Sequence, residues 1–212
     1  MTGVCGCPVA AALPDVKIPV CAVDFKQTQK VIFQRLRSAS GVVNKIANPA
    51  VKASWTALLS AADGTKAVVS PYISGPTTEP GGAKNFGGGN ATVGGVEIVI
   101  GKDPTSFTCN LFSMPQDTIA ALKQMSCEEL GVYLINQHGQ IGCIKKETGT
   151  PGTFEYMPIP IRSLFISDLK LGGLEEPDAN TMSWSFEPNW SDNFAIVTPT
   201  DFNAVTDLAK TV

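Results

Sequence analysis

The chain has 212 residues, of which 43% are hydrophobic and 17% charged, and its net charge is −3. That supplies a core for one domain with extensions or at most two small domains, and the acidic balance excludes a general nucleic-acid binder. An average soluble chain is roughly 25% charged, so the surface is thinly charged, as suits a protein that hides surface in an oligomer.

The charge is uneven. Residues 1–106 hold ten Lys and Arg against six Asp and Glu, a balance of +4; residues 107–212 hold six against thirteen, a balance of −7. Opposite halves can act as a head-to-tail assembly device; ordinary scatter over a folded surface is the alternative. The first charge is Asp15, so a basic leader is missing, and no apolar run approaches the roughly 20 residues that span a bilayer. The expectation is a soluble protein made in the cytoplasm.

In chain order, residues 1–20 hold three prolines and show neither a helical nor a strand period, so they read as an extended arm. "VDFKQTQKVIFQRL" (23–36) is a long strand. Val23, Phe25 and Gln27 first alternate with Asp24, Lys26 and Thr28, and Val31-Ile32-Phe33 then looks two-sided or bulged. A short helix is predicted within 48–65, capped by Asn48 with Pro49 at its first position. "KAVVSPYI" (66–73) returns to strand. From Ser74 to Val93 no apolar period is visible, only a glycine-rich run ending at 95, which predicts a long flexible loop. "VEIVIG" (96–101) and "SFTCNLFS" (106–113) are strands. Ser113-x-x-Gln116 matches a capping box, with Pro115 tolerated in the first turn, for a helix over 114–126. "GVYLINQHGQIGCIK" (131–145) is a hairpin turning at His138-Gly139. Residues 159–167, 181–188 and 193–199 are further strands; Met182, Trp184 and Phe186 share one face. The tail 201–212 forms a terminal helix capped by Thr200. The fold class is mainly β: a sandwich or barrel of about nine or ten strands with one flanking helix, a long glycine-rich loop and extended termini.

Chemistry is hard to find in this pattern. The glycines at 87–89 and 94–95 precede their strand, whereas a phosphate cradle follows a strand and opens a helix. The only histidine, His138, sits at a hairpin tip. Glu128-Glu129 and Glu175-Glu176 are adjacent pairs, and neighbours along an extended chain point apart. Cys5, Cys7 and Cys21 are three clustered thiols without the fourth ligand of a structural zinc site, and Cys109, Cys127 and Cys143 read as small buried hydrophobes. No metal, cofactor or enzymatic activity is expected.

One long arm, a capped helix directly after a strand, a hairpin and extended termini together resemble a tail tube protein of a tailed bacteriophage. "SWTALLSAADGTKAVVSPYI", "GGVEIVIGKDPTSFT" and "SFEPNWSDNFAIVTPTDFN" also resemble structural proteins of phages that infect Bacteroidetes. The resemblance covers about residues 20–208. It implies a β-sandwich or barrel over 21–200 whose copies join, commonly six to a ring. The rings stack into a tube through which DNA passes without sequence-specific binding, alongside other tail proteins in the virion. It further implies that 1–20 lies on a neighbour, that the helix covers the barrel, and that the loop 74–95 contacts the next ring and orders there. Candidate assembly residues are Gly81, Gly82, Lys84, Phe86, Gly87, Gly88 and Gly89 in the loop. The charge asymmetry adds basic Lys26, Lys30, Arg35 and Arg37 opposite acidic Glu175, Glu176 and Asp178. Prolines 158 and 160 require the strand at 159–167 to be an edge or bulged. Another virion part, such as a head-decoration or tail-terminator protein, fits the same composition, and an enzyme of unknown type is the third alternative.

Overall fold

The computed structural model describes residues 24–91 and 94–208. The arm at 1–20 and the thiols Cys5, Cys7 and Cys21 lie outside the described residues. Ten strands form one antiparallel sheet, and two form a separate hairpin. The strands are β1 (Thr28–Arg35), β2 (Ala67–Val69), β3 (Ser74–Glu79), β4 (Ala83–Gly87), β5 (Glu97–Lys102), β6 (Thr105–Phe112), β7 (Leu130–Asn136), β8 (Ile141–Glu147), β9 (Phe154–Met157), β10 (Ile159–Ile166), β11 (Ala179–Phe186) and β12 (Phe194–Val197). The helices are α1 (Lys52–Ser60), α2 (Gln116–Gln124) and the single turn α3 (Ala204–Asp207). The twelve strands among the described residues exceed the nine or ten expected. The mainly β class stands.

Strands in the large sheet run β12-β8-β7-β10-β11-β6-β3, with β1 beside β7, β2 outside β1, and β9 on β8. β10 turns the corner. Its first two residues, Ile159 and Pro160, pair with Val132 and Gly131 of β7, and from Ile161 onward it pairs with β11. The register shifts between Arg162 and Phe165, where Ser163 is left-handed (φ 56°). Pro158 precedes the strand and Pro160 is paired on one side only, where β10 passes from β7 to β11; the bulge follows at 163–164, and the strand bends there.

The two halves close on one core. Phe33 of β1, Phe107 of β6, Val132 of β7, and Trp184 and Phe186 of β11 meet there, and α2 adds Ile119 and Leu122. Phe107 stacks on Trp184 at 4.2 Å between centroids, and Trp190 stacks on Phe186 at 4.4 Å. A second core lies on the other face of β1, β7 and β8, under α1 and α3: Ile32, Tyr133, Ile135, Ile141, Trp55, Ala204 and Leu208. Being sandwiched explains why β1 reads as two-sided, and why every residue of β7 is buried. Several polar groups carried inside find partners, whereas Trp184 Nε1 and Asn180 Oδ1 have none among the described residues. Tyr133 donates its hydroxyl to Gln34 Oε1 (3.0 Å), Gln34 donates its amide to the Thr65 carbonyl (2.7 Å), and Trp55 Nε1 donates to the Pro49 carbonyl (3.0 Å).

Several local expectations fail, each for a visible reason. β1 starts at Thr28, not near 23, because Gln27 is left-handed (φ 32°) and a bulge follows between Thr28 and Lys30. α1 starts at Lys52. Asn48 instead closes a turn by accepting from the Ala50 amide, and the Lys52 amide is capped across the chain by Asp201. The box at Ser113 does not form: Ser113 is left-handed (φ 50°), its amide bonds the Asp178 carbonyl, and Pro115 takes the cap position. At the C-terminus Asn203, not Thr200, caps α3 by accepting from the Val205 amide. Thr200 bonds the Ala50 carbonyl instead, which staples this segment over α1. Cys109 and Cys143 are buried and their thiols are pushed up to about 12 by desolvation, but Cys127 is exposed.

Candidate assembly interface

The segment 74–95 is not one structureless loop. Ser74–Glu79 is β3, paired with β6 at the open edge of the sheet, and Ala83–Gly87 is β4, paired with β5. The pair β4–β5 stands off the large sheet as an arm, and every residue of β5 is exposed. Phe86 lies directly opposite Ile98, so the two share a face; Val99, opposite Asn85, points the other way, and Ile100 is the unpaired residue at the register shift. Their exposures are 56% for Phe86, 49% for Ile98, and 66% for both Val99 and Ile100. Two-stranded hairpins are marginal in water by themselves, and this one buries neither face.

The base of the arm is fixed. The Asp103 amide donates to the Gly82 carbonyl at 2.9 Å, and Lys84 pairs with Asp103 at 2.8 Å. Hydrogen bonding and charge from Asp103 raise the Lys84 ammonium above its usual range. A side chain at Gly81 would collide with the Asp103 carbonyl, so glycine there lets the two strands of the base approach. At the far end Gly87, Gly88 and Gly89 all have positive φ (93°, 91° and 54°), which reverses the chain beyond β4.

The charged candidates are dispersed. Lys26 and Arg37 flank opposite ends of β1, a strand roughly 25 Å long at ~3.4 Å per residue. Lys30 is buried: its ammonium donates to the Val205 carbonyl at 2.7 Å and stands 4.0 Å over the Tyr72 ring. Arg35 makes a two-bond contact with Glu128 (2.8 and 2.6 Å), which holds the Glu128 carboxyl below its ordinary range, and Arg37 donates to the Gly41 carbonyl. Lys26 faces Asp24 at 3.7 Å. In the acidic loop Glu176 pairs with Lys170 at 3.0 Å, Asp178 accepts from the Gly172 amide at 2.8 Å, and Glu175 is exposed. Within one chain the structure does not bring the two sets together.

Other features of the surface follow expectation or add to it. His138 is an exposed tip residue, 3.2 Å from the Gln137 amide nitrogen. A groove of about 730 Å³ runs between α2 and the β1–β2 pair, with Arg35 and Glu128 among its walls. The loop between β10 and β11 exposes Leu171 and Leu174, a feature not among the sequence candidates; "DLKLGGLEEP", with leucines spaced through a glycine and acid run, is the signal that carries it.

No protein-family model matches the chain, and no curated protein matches it. Among solved structures, one similar chain comes from the cryo-EM structure of the anti-feeding prophage (AFP) baseplate, 6-fold symmetrised. The identity is 13%, 85% of this chain and 98% of that chain are covered, and the TM-score is 0.31. A likeness that slight carries no argument about fold or function.

Proposed function

We propose that this chain is a structural subunit that assembles with copies of itself, as the tail tube of a tailed bacteriophage: rings joined by their sheets and stacked into a channel for DNA. The observation that carries the reading is the arm. It holds Phe86, Ile98, Val99 and Ile100 in a hairpin aimed by a fixed base, with at least 49% of each in water. A fully buried side chain of this kind contributes about 1.5–3 kcal/mol, so covering the exposed halves offers roughly 5 kcal/mol per arm. A monomer forgoes that contribution, and a second copy recovers it.

The mainly β architecture with α2 packed against its core accords with the resemblance of the sequence to tail tube proteins. Sheet pairing between copies has an available route as well. β12 (Phe194–Val197) is an edge strand without proline or charge, whereas edge strand β3 carries Pro76, Glu79 and a register shift, devices that discourage pairing.

Negative-stain microscopy and size-exclusion chromatography of the concentrated protein test the proposal. The expected result is rings or tubes. A stable monomer, or a trimer that never extends, would replace it with the decoration reading.

A further inference from the structure

We infer that the loop joining β10 to β11, residues 167–178, is the surface on which the arm of a second copy seats. This rests on the reading of the chain as a self-assembling subunit and names the partner of the arm within it.

The first ground is position. The arm leaves the sheet immediately before Thr105, the first residue of β6, and the loop ends immediately before Ala179, which pairs with Phe112, the last residue of β6. The Ser113 amide bonds the Asp178 carbonyl at 2.8 Å and fixes the loop to that end. Arm and loop therefore stand at opposite ends of the same strands, about 25 Å apart at ~3.4 Å per residue. Two unlike surfaces at opposite ends of one chain make a heterologous contact, which propagates from copy to copy until it closes or runs on as a filament.

The second ground is that the loop is shaped, and shaped to present leucine to water. Lys170 and Ala179 exchange both backbone hydrogen bonds (2.8 and 3.0 Å), and Asp178 holds the Gly172 amide. A side chain at Gly172 would collide with the Glu176 carbonyl, so the turn closes tightly. At its tip Leu174 is fully exposed and Leu171 is 74% exposed, with Phe165 of β10 and Leu169 also exposed. Scattered single apolar residues need no explanation; three on a pinned loop, with Phe165 on the strand that leads into it, are a concentration that does.

The third ground is size. Arm and loop each expose several large apolar side chains, on the order of a few hundred Å² apiece, the range in which the largest patch on a protein is often functional. A specific interface needs about 1,000 Å² in total, which neither supplies alone.

The test uses complementation between two full-length variants. Val99→Asp with Ile100→Asp spoils the arm and leaves the loop; Leu171→Asp with Leu174→Asp spoils the loop and leaves the arm. Each alone should lose association about a hundredfold or more, with circular dichroism and denaturation midpoint close to the parent. Mixed one to one, the intact arm of the loop variant should seat on the intact loop of the arm variant. The product should be arm-to-loop pairs, of single copies or of sheet-joined rings, that stack no further, seen by mass photometry. A photo-crosslinker at Leu174 in the parent should join it to residues 83–102 of another copy. Crosslinks to any other element, or a loop variant that assembles like the parent, overturn this inference while leaving self-assembly standing. A parent that never assembles overturns both.

Discussion

β7 and β5 are strands of similar apolar character with opposite fates. In β7, "LGVYLIN", every residue is buried; in β5, "EIVIGK", every residue is exposed. β7 has β1 on one side and β8 and β10 on the other, with a core above and a core below. β5 has only β4. Apolar pattern thus marks a strand that needs cover without saying where the cover comes from. For β7 it comes from the same chain. For β5 it has to come from elsewhere, and that demand is the physical content of the functional proposal.

The largest expected effect contrasts the two strands with one substitution. Val132→Asp in β7 places a carboxylate in the fully buried core and should unfold the protein, a cost above about 4 kcal/mol. Val99→Asp in β5 should move the midpoint by less than about 0.5 kcal/mol and yet abolish assembly. Urea denaturation followed by light scattering separates the two, and equal destabilisation by both would mean that β5 is covered within its own chain.

A second substitution sharpens the role of the base. Gly81→Ala forces the Asp103 carbonyl away and should re-aim the arm. The expected outcome is slowed assembly with an unchanged core, read as unaltered near-ultraviolet circular dichroism beside a longer lag in turbidity. Loss of the near-ultraviolet signal would instead tie the arm to the core.

Thiol reactivity gives a smaller and cleaner contrast. Cys109 and Cys143 are buried, with thiols pushed up to about 12, so at pH 8 they stay protonated and shielded; Cys127 is exposed. Peptide mapping after brief iodoacetamide treatment should find label at Cys127 and at neither of the other two until denaturant is added. Early labelling of Cys143 would show that the second core opens.

The smallest effect belongs to Glu128→Gln. The Arg35–Glu128 pair is exposed, and surface pairs contribute little. Because the pair lowers the Glu128 carboxyl, any contribution is present above the ordinary carboxylate range and fades as pH falls through the lowered value. The variant should denature close to the parent at pH 7, and on acidification the parent should lose slightly more than its variant, which has no carboxylate to protonate. A midpoint well below the parent's at neutral pH would show that the surface pair matters.

Much of the fold is legible in the sequence where period and burial agree. Met182, Trp184 and Phe186 alternate, and all three face the core as alternation requires. The hairpin at His138-Gly139 follows from local rules, as does the one-sided pairing of Pro160 in a strand that is bulged further on. What escapes is decided by distant residues. Asn48 loses its cap role because Asp201, from the other end of the chain, reaches the Lys52 amide first. Ser113 loses its own because the Asp178 carbonyl holds its backbone left-handed. β3 and β4 go unseen because their sequences, "SGPTTE" and "AKNFG", bury almost nothing and so show no apolar period. The basic residues of β1 look like a surface stripe in one dimension, but Lys30 points inward to the Val205 carbonyl. A segment without apolar period at 74–95 is legible as a feature, though not as β3 and half of a hairpin; the exposed leucines of 167–178 are not, since three leucines in an acidic turn have no period to betray them.

The account stands on the arm being covered by another copy, and hydrogen exchange across a concentration series measures that directly. Below the assembly threshold the amides of 83–102 should exchange quickly while β7 stays protected. Above it the arm should become protected together with 167–178, in step with particle growth. Equal arm protection at every concentration, or growth of particles with the arm still exchanging freely, would contradict it.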